Sequence, residues 1–170
     1  MENQAFTHKP IVDYFESLNE KLIDFNENSF FRMDLDELFG AFRSGITFPC
    51  MTTESPEGDA GESTLSNSVI GRFWAFTIYQ NPERSNAQEQ NQMLDECERI
   101  GLKIVSRMRF DARNPEHLLY NKFKAASVKW VKVGPVFTEN LYGYRFSGEF
   151  KDNEALKIKA EDWSDLDTVC

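Results

Sequence analysis

Apolar residues occupy both sides of the run SVIGRFWAFTIYQ, with Val69, Phe73, Ala75 and Tyr79 alternating with Ile70, Trp74, Phe76 and Ile78. A strand that is apolar on both faces is buried on both, so this run predicts a central strand. The period then changes. After the break NPERS, Met93, Leu94, Cys97, Ile100, Ile104, Val105 and Met108 form a helical stripe that predicts the longest helix, over residues 86–109, with Ser85 and Gln88 as a capping box. Ile11, Phe15, Leu18, Leu22 and Phe25 recur at intervals of four and three and predict a second amphipathic helix over 10–26, with Pro10 in its first turn. The segment DLDELFGAFRSG predicts a short helix, in which Asp34 caps, Glu37 completes the box and Gly45 marks the exit.

Shorter alternations supply the remaining strands. ITFPCMT places Ile46, Phe48 and Cys50 on one side, and Pro49, lacking an amide donor, favours a sheet edge. The segment from 54 to 67 is rich in Gly, Ser and Glu and predicts a mobile loop. Asn114 and Pro115 read as the cap and first turn of a further short helix carrying Leu118, Leu119 and Phe123. A closing hairpin follows, SVKWVKV against LYGYRFSGEF, with a turn at Thr138 to Asn140. Along its second arm Tyr142, Tyr144, Phe146 and Phe150 share one face with Gly148 between them, while Gly143, Arg145, Ser147 and Glu149 share the other. The fold class expected is α+β: a mainly antiparallel sheet of about four strands, with the long helix packed across it and an N-terminal helix. Residues 1–151 form the single domain and 152–170 an acidic C-terminal tail in which Leu156, Ile158 and Trp163 are the apolar anchors.

Composition narrows the range of functions. Lys+Arg 19 against Asp+Glu 28 gives a net charge of −9, which disfavours general attraction to nucleic acid or an anionic membrane. No apolar run approaches the roughly 20 residues of a membrane helix, and the start of the chain lacks the pattern of a signal peptide. Cys50, Cys97 and Cys170 are widely spaced and odd in number, as suits a reducing cytoplasm. His8 and His117 stand apart, with no Cys or carboxylate at metal-ligand spacing. Asp34, Asp36 and Glu37 mimic an acid-base or metal cluster, but helix capping explains them. GDAG lacks the Lys and Ser/Thr of a phosphate loop. Trp74, Trp130, Tyr142 and Tyr144 suit core or interface better than base stacking, although Lys122, Lys124, Lys129 and Lys132 lie nearby. No cofactor, metal or catalytic constellation is indicated, so an enzyme is not expected.

The order of these elements, ending in YGYRFSGEF, resembles that of the tail-terminator or tail-completion proteins of tailed bacteriophages over about residues 8–151. The resemblance is one of layout and size. It implies a small α+β subunit that forms a homo-oligomeric ring at the head-tail junction, made in the host cytoplasm and carried in the virion. DNA passes through such a ring without specific binding, and other junction or tail proteins are its partners. The edge strands and the 54–67 segment become the assembly surface, with Glu54, Glu57, Asp59, Glu62, Tyr142, Tyr144 and Trp163 as candidate interface residues. The alternative is a non-catalytic adaptor or peptide-binding domain of a bacterial complex.

Overall fold

The structure, a computed structural model, describes residues 6–32, 45–64, 67–136, 140–154, 156 and 158–165. Its elements in chain order are α1 (His8–Lys21), β1 (Phe30–Arg32), β2 (Cys50–Thr53), β3 (Glu57–Thr64), β4 (Asn67–Gln80), α2 (Ala87–Asp111), β5 (Lys129–Val136) and β6 (Leu141–Glu154), with short 3-10 turns at Ala125–Ser127 and Ala160–Asp162. The fold is α+β, with, among the described residues, two α-helices and a mixed sheet of six strands in the order β1-β2-β4-β6-β5, and with β3 also paired to β4.

The apolar run at 69–79 is the centre of this sheet. β4 pairs β6 antiparallel from Ser68↔Glu154 to Gln80↔Tyr142, and β6 pairs β5 antiparallel from Lys129↔Ser147 onward. On the opposite side β4 takes β2 over Cys50↔Tyr79 to Thr53↔Phe76, then β3 from Glu57↔Phe73. β2 and β3 thus share one edge of β4, interrupted at residues 54–56, where Glu54 still donates its amide to the Ala75 carbonyl at 2.9 Å.

One face of the sheet carries the helices. Even-numbered residues of β4 and β6 point into it: Trp74, Phe76, Ile78, Phe146 and Phe150 are buried with Phe15 and Leu18 of α1, Ile100, Ile104 and Met108 of α2, and Met51 of β2. Phe146 lies between the rings of Phe76, at 5.2 Å, and Trp130, at 5.9 Å, both stacked. Gly101 permits α2 to approach that stack. A smaller cluster of Cys50, Tyr79 and Leu141, with Phe31, Phe48 and Val133 against it, covers one end of the other face.

Several expectations are corrected. The sheet has six strands rather than about four; it is mainly antiparallel, as expected, but mixed, since β1 joins β2 in parallel over Phe30↔Met51 to Arg32↔Thr53. For the same reason β2 is not an edge, and Pro49 stands just before its first residue. The expected mobile loop over 54–67 contains β3, whose polar residues satisfy their backbone on β4 without needing an apolar side of their own. The helix expected from Asn114 is a run of turns, in which the Asn114 Oδ1 accepts from the Glu116 amide at 3.1 Å, an Asx turn competing with the cap. The cap of α2 is Asn86, accepting from the Glu89 amide, and not Ser85. α1 ends at Lys21, short of the 26 expected. β6 continues past Lys151 to Glu154, and Leu156, Ile158 and Trp163 beyond it are exposed rather than anchoring. The short helix expected at Asp34, Asp36 and Glu37, the turn at Thr138 and the C-terminal Cys170 lie outside the described residues.

Candidate functional site

The uncovered part of the sheet face opposite the helices is a groove of about 430 Å³ lined by Glu54, Glu57, Phe73, Lys129, Arg145 and Glu149, among others. Strand alternation places these side chains. Odd-numbered residues of β4, β5 and β6 project away from the helices, so Phe73, Lys129, Arg145, Ser147 and Glu149 come together. The interruption between β2 and β3 turns Glu54 toward them. Arg145 donates through Nε and Nη2 to the two Glu54 oxygens at 2.6 and 2.7 Å, a bidentate pair between residues far apart in sequence. That hydrogen bond raises the Arg145 pKa above its ordinary value, so the guanidinium is a permanent charge on the groove floor.

Further along the same face the carboxylates of Asp59 and Glu149 converge over Gly71. A Cβ at Gly71 would lie 2.3 Å from the Asp59 Oδ1 and 3.0 Å from the Glu149 Oε1, and Glu149 is itself paired with Lys151 at 3.3 Å. Phe73, 46% exposed, is the apolar element of the groove. The combination is suited to holding an extended polypeptide or a neighbouring protein surface: one fixed guanidinium, several carboxylates and one aromatic ring, on a rigid sheet. Among the described residues no group of three or more His, Cys, Asp or Glu is placed to hold a metal.

A second polar constellation ties α1 to α2. Tyr14 donates to the Asp111 Oδ2 at 2.9 Å, Arg107 Nε donates to the Oδ1 at 2.8 Å, and the His117 Nε2 stands 3.7 Å from the Oδ2. Burial first, then Asp111, pushes the Tyr14 pKa up, so the hydroxyl remains a donor. His117 Nδ1 accepts from the Leu119 amide at 3.1 Å, which leaves the proton of the neutral ring on Nε2, facing Asp111. Burial lowers the His117 pKa from its ordinary 6.5; Asp111 opposes this, while Arg107 and Lys21 add to it. The cluster is a structural clamp, because Asp111 is 3% exposed and its oxygens are taken by the chain's own donors.

The clamp carries a pH dependence. The unfolded chain takes up a proton at His117 more readily than the folded one, so this contribution to stability is complete above 6.5 and is lost as the pH falls through the lower folded value. The urea midpoint should therefore drop between about pH 7 and about pH 5.5 by more in the native protein than in His117→Asn. Equal drops in the two proteins would show that His117 contributes nothing to that window.

The candidate interface residues separate into three groups. Glu54, Glu57 and Asp59 fall together on the open face, two of them lining the groove and Asp59 lying over Gly71. Tyr142 and Tyr144 lie on the helix-bearing side: Tyr144 packs against the core, and Tyr142 lies 5.6 Å under the Lys132 ammonium. Trp163, 56% exposed, follows the last 3-10 turn, remote in sequence from both groups. Glu62 belongs to β3, and its side chain lies outside the described residues. Sequence reasoning missed Arg145 and Tyr14, whose partners lie 91 and 97 residues away. The one available signal for Arg145 was its place on the polar side of an otherwise aromatic strand. Cys50 and Cys97 are buried free thiols, and burial raises both pKa values, that of Cys97 to about 12, which keeps them unreactive. No helix among the described residues is long and apolar enough to cross a membrane.

No protein-family model matches the chain, and no curated protein matches it.

Proposed function

We propose that the chain is a structural subunit that assembles with copies of itself into a ring, of the kind found at the head-tail junction of tailed bacteriophages, and that DNA passes through that ring without being bound specifically. The observation that carries this reading is the unfinished sheet. Among the described residues β3 and β5 each have a strand on one side only, the face between them is largely uncovered, and Leu156, Ile158 and Trp163 are each more than half exposed. Unpaired edges and exposed apolar side chains are liabilities in a free subunit and assets in an assembly. The net charge of −9 supports a conduit, since like-charge repulsion keeps phosphate backbones from sticking.

Size-exclusion chromatography with light scattering, followed by negative-stain microscopy, tests the reading. A closed ring of the chain alone, together with no DNA binding at low salt, is the expected result. Low salt is the stringent condition, because binding to phosphates is strongest there. Salt-sensitive DNA binding by the subunit would overturn the conduit.

The groove around Glu54, Phe73 and Arg145 favours a second reading, a peptide-binding adaptor. A stable monomer that takes up an extended peptide on that face, with affinity lost in Arg145→Ala, would establish it in place of the ring.

A further inference from the structure

We infer that the subunits join edge to edge, with β5 of one copy pairing antiparallel with β3 of the next, so that the sheet runs on from copy to copy; this inference rests on the ring reading above. Strand directions carry the first part. β3 is antiparallel to β4, β4 to β6 and β6 to β5, so β5 runs opposite to β3 within each subunit. A rotation about an axis inclined to the strands by a few tens of degrees, as in a closed barrel, keeps those directions opposed and brings β3 of the neighbour beside β5, stepped along the strand direction. Antiparallel pairing then needs no reversal of the subunit, and the contact is head-to-tail, as a closed ring requires.

Charge carries the second part. The only charged side chains of β5 are Lys129 and Lys132, and those of β3 are Glu57, Asp59 and Glu62. Lys129, Glu57 and Asp59 have no ion-pair partner among the described residues. Such edges repel their own kind and attract each other, which favours the mixed contact over β5 against β5 or β3 against β3.

Face alternation narrows the register. Lys129 pairs Ser147, and Glu57 and Asp59 pair Phe73 and Gly71, so all three carry their side chains on the open face. Setting Lys129 opposite Asp59 keeps the open faces continuous. The same register sets Trp130, on the helix side and 44% exposed, opposite Gly58, where the missing side chain leaves room for the indole. In this register Lys129–Val131 pair with Glu57–Asp59, and the irregularities at Val133/Val136 and Ala60/Ser63, with Pro135 lacking an amide donor, lie just beyond the paired stretch.

Charge reversal and cross-linking test this together. Lys129→Glu and Asp59→Lys should each raise the apparent dissociation constant of the assembly at least tenfold, and the double variant should restore it to within about threefold of the native protein. In a Cys170→Ser background, Asp59→Cys with Lys129→Cys should give a ladder of disulfide-linked multimers on mild oxidation. Within one subunit those positions are three strand spacings apart and four residues out of step along the strands, roughly 20 Å in all, too far to bridge. Rings that form normally in both single variants and give no ladder would overturn the edge pairing and leave the ring reading standing. A ladder with only dimers or open filaments would support the pairing and overturn the closed ring. A monomer without a ladder overturns both.

Discussion

Gly101→Ala should destabilise the protein by about 1–3 kcal/mol, although the same change in an exposed helix interior stabilises by about 1 kcal/mol. Gly101 is where α2 meets the sheet. A Cβ added there would lie 2.0 Å from the Phe146 Cε2 and 2.3 Å from its Cζ. The ring has little freedom to move aside, being fully buried and stacked between Phe76 and Trp130. The helix must therefore lift, and the contacts of Ile100 and Ile104 loosen with it. Gly101→Val should be worse still and leave little folded protein. Removing the obstacle should reverse the sign: in a Phe146→Ala background, Gly101→Ala should be neutral or stabilising. Urea denaturation of the four proteins measures the cycle, and additive effects would show that the two residues do not touch.

Phe76→Asp should abolish soluble folding. Phe76 is fully buried on the central strand, against Phe15 at 5.7 Å, Trp74 at 5.9 Å and Phe146 at 5.2 Å. Losing the ring costs about 3–5 kcal/mol, and a carboxyl group without a partner at the same site adds several more. A domain of this size has about 5–15 kcal/mol of stability in all, so the sum exhausts it. Phe110→Asp is the control. Phe110 is 67% exposed at the end of α2, where such a change stays within about 1 kcal/mol. Expression, solubility and thermal melting separate the two, and a normal melt of Phe76→Asp would refute the placement of the core.

The parts of the fold that could be read in the chain were those with a strong local period. The alternation of 69–79 and the stripe from Met93 to Met108 each bury many side chains on a defined side, so tertiary packing had little reason to override them, and β4 and α2 formed where expected. β3 was not readable. Its residues EGDAGEST have no apolar side, and they form a strand because β4 offers an unpaired edge next to them, a condition invisible in the segment itself. The run after Asn114 failed for the opposite reason: its signal for a helix start was present, but the side chain satisfied a turn instead.

The candidate site divides along the same line. Alternation by itself determined that Arg145, Ser147 and Glu149 share the polar side of β6 while Phe146 and Phe150 share the apolar one, since the pleat leaves no other choice. Composition by itself determined the acidity. Only the tertiary structure decided that Glu54 would meet Arg145, that Asp111 would be clamped by Tyr14 and Arg107, and that an acidic β3 and a basic β5 would form opposite edges of one sheet. Each of these depends on strand order, register and helix placement. Contacts between distant segments are selected by the packing of the whole core, and they leave no periodic trace in the residues that make them.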